Sequence, residues 1–432
     1  MDLKNEHLNT GIIYKPSRED GNEEEIIDEK TEMLDIKNQS VYVGRQICTE
    51  EMQTDKEKKK EKTKIVKNML VLCTVFTFLF TAFNGLVNLQ SSINCDDGLG
   101  FASLACMYAF MIVSAVLLPS IAINTFGTKW TLVISMVFYV IYTAANYYPM
   151  WYILMTASAF LGIAAAPLWT CQAMYITTIS IQYANINDED WQNTVNRNVG
   201  IFSMTLKSSQ IFGNILSSVV LGLSDDRNTT SFNDVTYTCG ANDCQETEGN
   251  QTTFCDLPPQ NLTTILLTLY VACGVIAIII TVIFLDKLKV GQEPKEQKQS
   301  CDLLLATIKL LKDDRIWFVI PMSVCSGIEM AVITGVFVKS YVSCVIGVNM
   351  VGYVMICYGV SNTVFCVIAG RVATYIGRVT LVAIGGAMLV SLSISLLLWE
   401  PRAEQMPVYF IIAAGWGLAD AIWQTQMYSE LK

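Results

Sequence analysis

The chain has 432 residues, 52% of them hydrophobic and 16% charged, a formal net charge of −10 and a mean hydropathy of +0.40. Ordinary soluble domains run at about 45–50% apolar, and here the first 65 residues are polar, so the excess is concentrated downstream and points to membrane. The single histidine, His7, lies in that polar stretch, which excludes a histidine triad, a histidine metal site and an imidazole proton relay in the apolar part.

Residues 1–65 read as a disordered cytoplasmic tail, acidic at Glu23, Glu24, Glu25, Asp28 and Glu29 and basic from Lys56 onward. Residues 66–89 follow as the first span, carrying one charge, Lys67, at its start. About 20 apolar residues satisfy their own backbone and cross the hydrocarbon core as a helix. Lys56, Lys58, Lys59, Lys60, Lys62, Lys64 and Lys67 precede or open it, whereas Asn94, Asp96 and Asp97 follow it. This asymmetry places the N-terminus in the cytoplasm and residue 90 outside. The basic run 56–67 could serve as a nuclear signal, but lying directly against a span it reads as a topology determinant that also attracts anionic lipid, and no nucleic-acid partner is expected.

Further spans are expected near 101–124, 130–147, 151–176, 199–223, 263–285, 316–342, 350–371, 379–399 and 407–427, ten in all. Loops expected inside hold Lys129, Arg197, Lys287, Lys289, Lys295, Lys298, Lys312, Arg315 and Arg378, against Arg227 and Arg402 outside. Trp130, Trp151, Trp317 and Trp399 fall at span ends, as in an interfacial aromatic belt. The external loop 224–261 carries acceptor sequons for N-glycosylation at Asn228, Asn250 and Asn261. Of 14 cysteines most sit within spans; Cys95, Cys239, Cys244 and Cys255 lie outside and suggest two disulfides of open connectivity, with Cys344 as a competitor.

Between the second and third spans the chain reads SIAINTFGTK (120–129), and between the eighth and ninth GRVATYIGRV (370–379). Gly127 matches Gly377, Ser120 matches Gly370, and Lys129 and Arg378 follow closely. The alternative is that any tight inner loop favours glycine and a cation. With the span count, the loops predict an all-α transmembrane fold of two parallel six-span repeats, the plan of the major facilitator superfamily. The first repeat takes 66–285, a cytoplasmic linker 286–315, and an incomplete second repeat of four spans 316–432, ten of an expected twelve.

Charges within spans cost about 2.5–3.5 kcal/mol each on insertion scales and call for a reason. Lys207, Glu329 and Asp420 are such charges; Lys339 is near enough to an outer end to snorkel. The three either line a central cavity that binds a solute or couples a proton, or form structural contacts such as a Lys207–Asp420 ion pair. Asn84, Asn88 and Gln90 either extend that cavity or tie helices together. No nucleophile elbow, P-loop, HExxH or CxxC occurs, so neither enzyme activity, a cofactor nor a bound metal is expected.

Four strings carry a resemblance: NGLVNLQSSIN (84–94), GIAAAPLWTCQ (162–172), VGYVMICYGVSN (351–362) and GWGLADAIWQTQ (415–426). Together they resemble the Unc-ninety-three ("uncoordinated") family, A-type homologues in particular, from about residue 66 to 427. The resemblance implies a major-facilitator-like fold, usually of twelve spans. It implies a regulatory subunit of a potassium channel complex at the plasma membrane, with the bilayer and a channel subunit as partners. The alternatives are a solute transporter with a small-molecule substrate, and a chaperone escorting membrane receptors from the endoplasmic reticulum to endosomes, as in the family's B-type branch.

Overall fold

The computed structural model describes residues 55–94, 98–222, 239–242, 259–288 and 314–430. The described residues are almost entirely helical: α1 (Asp55–Ile93), α2 (Leu99–Ala145), α3 (Trp151–Asn187), α4 (Trp191–Leu221), α5 (Gln260–Phe284), α6 (Asp314–Ala331), α7 (Val348–Ile376), α8 (Arg378–Leu398) and α9 (Met406–Glu430). α6 continues through a π-helical stretch, Val332–Ser343, and one closing turn, Cys344–Ile346.

Among the described residues, eight helical segments are long and apolar enough to cross a membrane, against the ten spans expected. Two segments account for the difference. Leu99–Ala115 is apolar but short. α4 is long but studded with Asn, Ser and Lys, which meet polar groups of α1, α3 and α9. α1 also begins at Asp55, inside the stretch expected to be a disordered tail. Lys and Glu are good helix formers and alternate there at short spacing, so the first span extends backward as one rod.

The two glycines of the proposed repeat are where rods turn. Gly127 (φ 74°, ψ 162°) breaks α2 into two segments, and Gly377 (φ 82°, ψ 153°) separates α7 from α8. An L side chain rarely adopts this backbone region. Around both, a Cβ would meet no atom within 4 Å, so conformation rather than space requires glycine. Thr131 seals the first turn by donating to the carbonyls of Gly127 (2.9 Å) and Ala122 (3.0 Å), and Lys129 Nζ donates to Val282 O of α5 (2.8 Å). Gly370 lies in α7 and Arg378 opens α8.

One aromatic core holds the first helices together: Phe76 and Phe80 of α1 pack on Trp169 of α3, Phe76 on Phe202 of α4, and Phe83 on Tyr139 of α2. A second stacks Tyr341 on Trp399 and sets Phe337 against Trp416 of α9. Such contacts bury large apolar areas and fix relative rotation through ring geometry.

A disulfide joins Cys239 to Cys344 with Cα atoms 5.9 Å apart. This corrects the expected pairing among the external-loop cysteines. The last turn of the α6 rod carries Cys344, the competitor noted in the sequence, to the start of the short 3₁₀ turn at Gly240–Asn242. Cys95, Cys244, Cys255, Asn228, Asn250 and the tail up to residue 54 lie outside the described residues. Asn261 is exposed on the first turn of α5.

Candidate functional site

Lys207, Gln210, Asn214 and Ser217 recur along α4 at spacings of three and four, which puts them on one stripe of the helix. α7 lies along this stripe because two glycines remove side chains at the contact. A Cβ on Gly352 would sit 2.0 Å from Ser218 Oγ and 2.7 Å from Asn214 O; one on Gly359 would touch Ile211 and Gln210 at 3.3–3.5 Å. One turn beyond Gly359 lies Asn362, and one turn before Gln210 lies Lys207, so the crossing brings Lys207 alongside Tyr358 and Asn362. α9 approaches the same turn of α7 through Gly417, whose added Cβ would lie 2.5 Å from Tyr358 O. Three residues later comes Asp420.

The result is a closed polar cluster. Asp420 is fully buried. Its Oδ2 accepts hydrogen bonds from Tyr358 OH (2.9 Å) and from Asn362 Nδ2, and lies 3.5 Å from Lys207 Nζ. Its Oδ1 accepts from Gln424 Nε2 at 2.7 Å. Both carboxylate oxygens are thus occupied, and the ammonium supplies the countercharge. Lys207 keeps 27% of its side chain accessible, which its four-carbon stem permits while the head stays at the carboxylate.

Glu329 on α6 is different. It is 6% exposed and neither carboxylate oxygen has a hydrogen-bond partner among the described residues. It lies within electrostatic reach of Asp420 and Lys207, and the neighbouring Met330 accepts a 3.5 Å hydrogen bond at Sδ from Tyr358 OH.

Asn84 and Asn88 are not in this cluster. Asn84 Nδ2 donates to Ser209 Oγ (3.1 Å) and Asn88 Nδ2 to Asn214 Oδ1 (3.0 Å), both across the α1–α4 seam. Gln90 Nε2 donates to Ser103 Oγ (3.3 Å). The seam is tight because Gly85 and Gly213 face each other: a Cβ on Gly213 would lie 2.4 Å from Thr81 O. Small residues with polar side chains beside them are the usual means of holding helices together where the hydrophobic effect gives no net drive.

Between the end of α1, the start of α2 and the π-helical stretch, an open cavity of about 280 Å³ is lined by Ser91, Asn94, Phe101, Gly335, Lys339 and Ser340 among others. Lys339 reaches it because the π-helical winding of Val332–Ser343 rotates the side chains relative to an α-helix. Outside the apolar segments, Asp286 closes the end of α5. Its carboxylate takes a 2.7 Å hydrogen bond from Lys67 Nζ, with Lys64 at 4.0 Å; its N–H donates to Asn68 Oδ1, and its carbonyl accepts from Tyr175 OH. Partial burial pushes the Asp286 carboxyl up, but the bond and charge of Lys67, with Lys64 and Asn68, outweigh it and hold it below the ordinary value of 3.8.

Tyr358, Asn362 and Gln424 were missed by sequence reasoning. Their signal was present: a glycine pair seven apart at 352 and 359, and Gly417 three before the buried Asp420.

The family model described as "Ion channel regulatory protein UNC-93" matches residues 91–432. "Protein unc-93 homolog A" of Xenopus laevis is 40% identical over 368 residues, covering 84% of this chain and 80% of the relative. "Putative potassium channel regulatory protein unc-93" of Caenorhabditis elegans is 33% identical over 382 residues, covering 87% of this chain and 54% of the relative. Among solved structures, the partially occluded inward-open xylose transporter XylE from E. coli aligns with a TM-score of 0.57 at 14% identity, covering 86% of this chain and 85% of that one. That likeness shows the fold: a helical, major-facilitator-like membrane protein. By the model match and by identity over most of its length, the chain belongs to the UNC-93 family of ion channel regulatory proteins.

Proposed function

We propose that this protein is a regulatory subunit of a potassium channel complex, seated in the plasma membrane with its N-terminus in the cytoplasm. The observation that carries the reading is its 33% identity, over 87% of its length, to the Caenorhabditis elegans protein with potassium channel regulation in its name. The helix seams suit a subunit that presents a fixed surface: Asn84, Asn88 and Asp420 bond to neighbouring helices. In this reading a six-span repeat (66–285) and an incomplete second repeat of four spans (316–432) form the body, 286–315 links them inside, and 224–261 is an external loop carrying sugars on Asn228, Asn250 and Asn261.

The test is a mild-detergent pull-down of the tagged protein from native membranes, with co-purifying proteins quantified. Recovery of a potassium channel subunit near stoichiometry, and a changed current when the protein is removed, is the expected result. Recovery without any channel subunit overturns it.

A second reading, solute transport, draws on the intramembrane charges Lys207, Glu329 and Asp420, since such groups are functional by default. Substrate-dependent flux into reconstituted vesicles, abolished by Asp420→Asn, would favour it over the first.

A further inference from the structure

We infer that Glu329 is a proton-binding site inside the helical body, its occupancy set against the Lys207–Asp420 contact. The inference is independent of the channel reading and stands or falls without it.

Among the described residues, two carboxyl side chains and one amine share this region, with the Tyr358 phenol and the Cys366 thiol beside them. Lys207 is committed to Asp420, 3.5 Å away, and Asp420 has three further donors in Tyr358, Asn362 and Gln424. Glu329 has none among the described residues: it is 6% exposed with both oxygens unbonded. Ionised, it would be a buried anion lacking any donor, facing the like charge of Asp420, with the nearby cation already engaged. The groups that face it are Lys207 from α4, Tyr358 from α7 and Asp420 from α9; Cys366 of α7 lies further along, in the field of Lys207 and Asp420. The site therefore carries two negative charges and one positive until one further unit of positive charge enters.

A proton meets that need with one covalent O–H bond to one Glu329 oxygen, leaving the other as acceptor. A hard metal cation needs several oxygen ligands around it, and the Asp420 oxygens are already taken up by donors. The proton comes from water and returns to it; no other reactant is involved. When it leaves, Glu329 becomes a second carboxylate competing for Lys207, so deprotonation weakens the bond between α4 and α9. That couples proton occupancy to the one ion pair found between those two helices among the described residues.

The experiment is infrared spectroscopy of the full-length protein in lipid nanodiscs at about pH 6, above the range where exposed carboxylates titrate. The expected result is a carboxylic-acid C=O band that disappears at alkaline pH. It should be lost in Glu329→Gln and shifted, but retained, in Glu329→Asp. The Asp variant keeps the test decisive if the Gln variant fails to fold. No such band in the unsubstituted protein, or a band unmoved by both substitutions, overturns the inference. So does a band abolished at constant pH by adding sodium or potassium chloride, which would make the ligand a metal cation.

Discussion

The ammonium of Lys207 on α4 lies 3.5 Å from the carboxylate of Asp420 on α9, and Asp420 is wholly buried. Neither group contacts the other through local sequence. Glycines at 352, 359 and 417 let three helices approach until the two charges meet beside Tyr358 and Asn362. The pair stitches α4, from the first half of the chain, to α9 near its end.

Lys207→Met should lower stability by about 1–3 kcal/mol. It strips Asp420 of its countercharge, but three donors remain, so the cost stays below the roughly 3–5 kcal/mol of a buried pair broken without them. Lys207→Met combined with Asp420→Asn should recover most of the loss, since the uncompensated charge is gone. Thermal unfolding of the four proteins in the same nanodiscs checks this; strictly additive effects would mean the two residues are not coupled.

The α1–α4 seam predicts a contrast between glycines. Gly213→Ala places a methyl 2.4 Å from Thr81 O, a backbone atom with little room to yield, and should destabilise by about 1–3 kcal/mol. Gly200→Ala meets nothing within 4 Å inside a helix and should be neutral or stabilise by about 0.4–1 kcal/mol. Gly127→Ala also meets open space, yet φ 74° should cost about 1–3 kcal/mol. Comparing the three midpoints separates crowding from backbone strain.

The Cys239–Cys344 bridge closes a separation of 105 residues. Its loss should cost about 2–5 kcal/mol, with the loop-entropy model near the upper end for a loop of this length. Non-reducing peptide mapping should recover the two cysteines in one cross-linked fragment, and Cys344→Ser should lower the unfolding midpoint as reductant does. A free thiol at Cys239 in protein isolated from membranes would refute the pairing.

Asp286 sets a pH dependence. Its folded value lies below the ordinary 3.8, so its contribution is complete above that value. The contribution fades as pH falls through 3.8 toward the lower folded value. With Lys67 and Asp286 both partly exposed, the pair is worth about 0.2–1 kcal/mol and is screened by salt. Asp286→Asn should thus lower the unfolding midpoint at neutral pH and low salt. The difference should shrink at high salt and narrow as pH falls below 3.8 through the lower folded value.

The family and the class of fold were legible in the sequence for a physical reason. In hydrocarbon every backbone polar group must be satisfied within its own segment, so composition over about 20 residues is enough to write a helix. The same logic marked Gly127 and Gly377, because a chain reversing in one or two residues needs glycine's left-hand backbone space. It also marked Lys207, Glu329 and Asp420, because charge in an apolar run is costly wherever it ends up. The start of α1 was misjudged since Lys- and Glu-rich composition serves equally for a solvated tail and for a helix extended from an anchored one.

What only the tertiary structure decided was which groups meet. Lys207 with Asp420, Asn84 with Ser209, Asn88 with Asn214, and Cys239 with Cys344 each join residues far apart in the chain. Helical spacing gives the face on which a residue lies, not the helix that covers that face. Helix rotation and crossing depth are set by interlocking side chains and by where glycine permits contact. The sequence determined that three charges within apolar segments had to be answered; packing determined that Asp420 is answered by Lys207, and that Glu329 has no donor among the described residues.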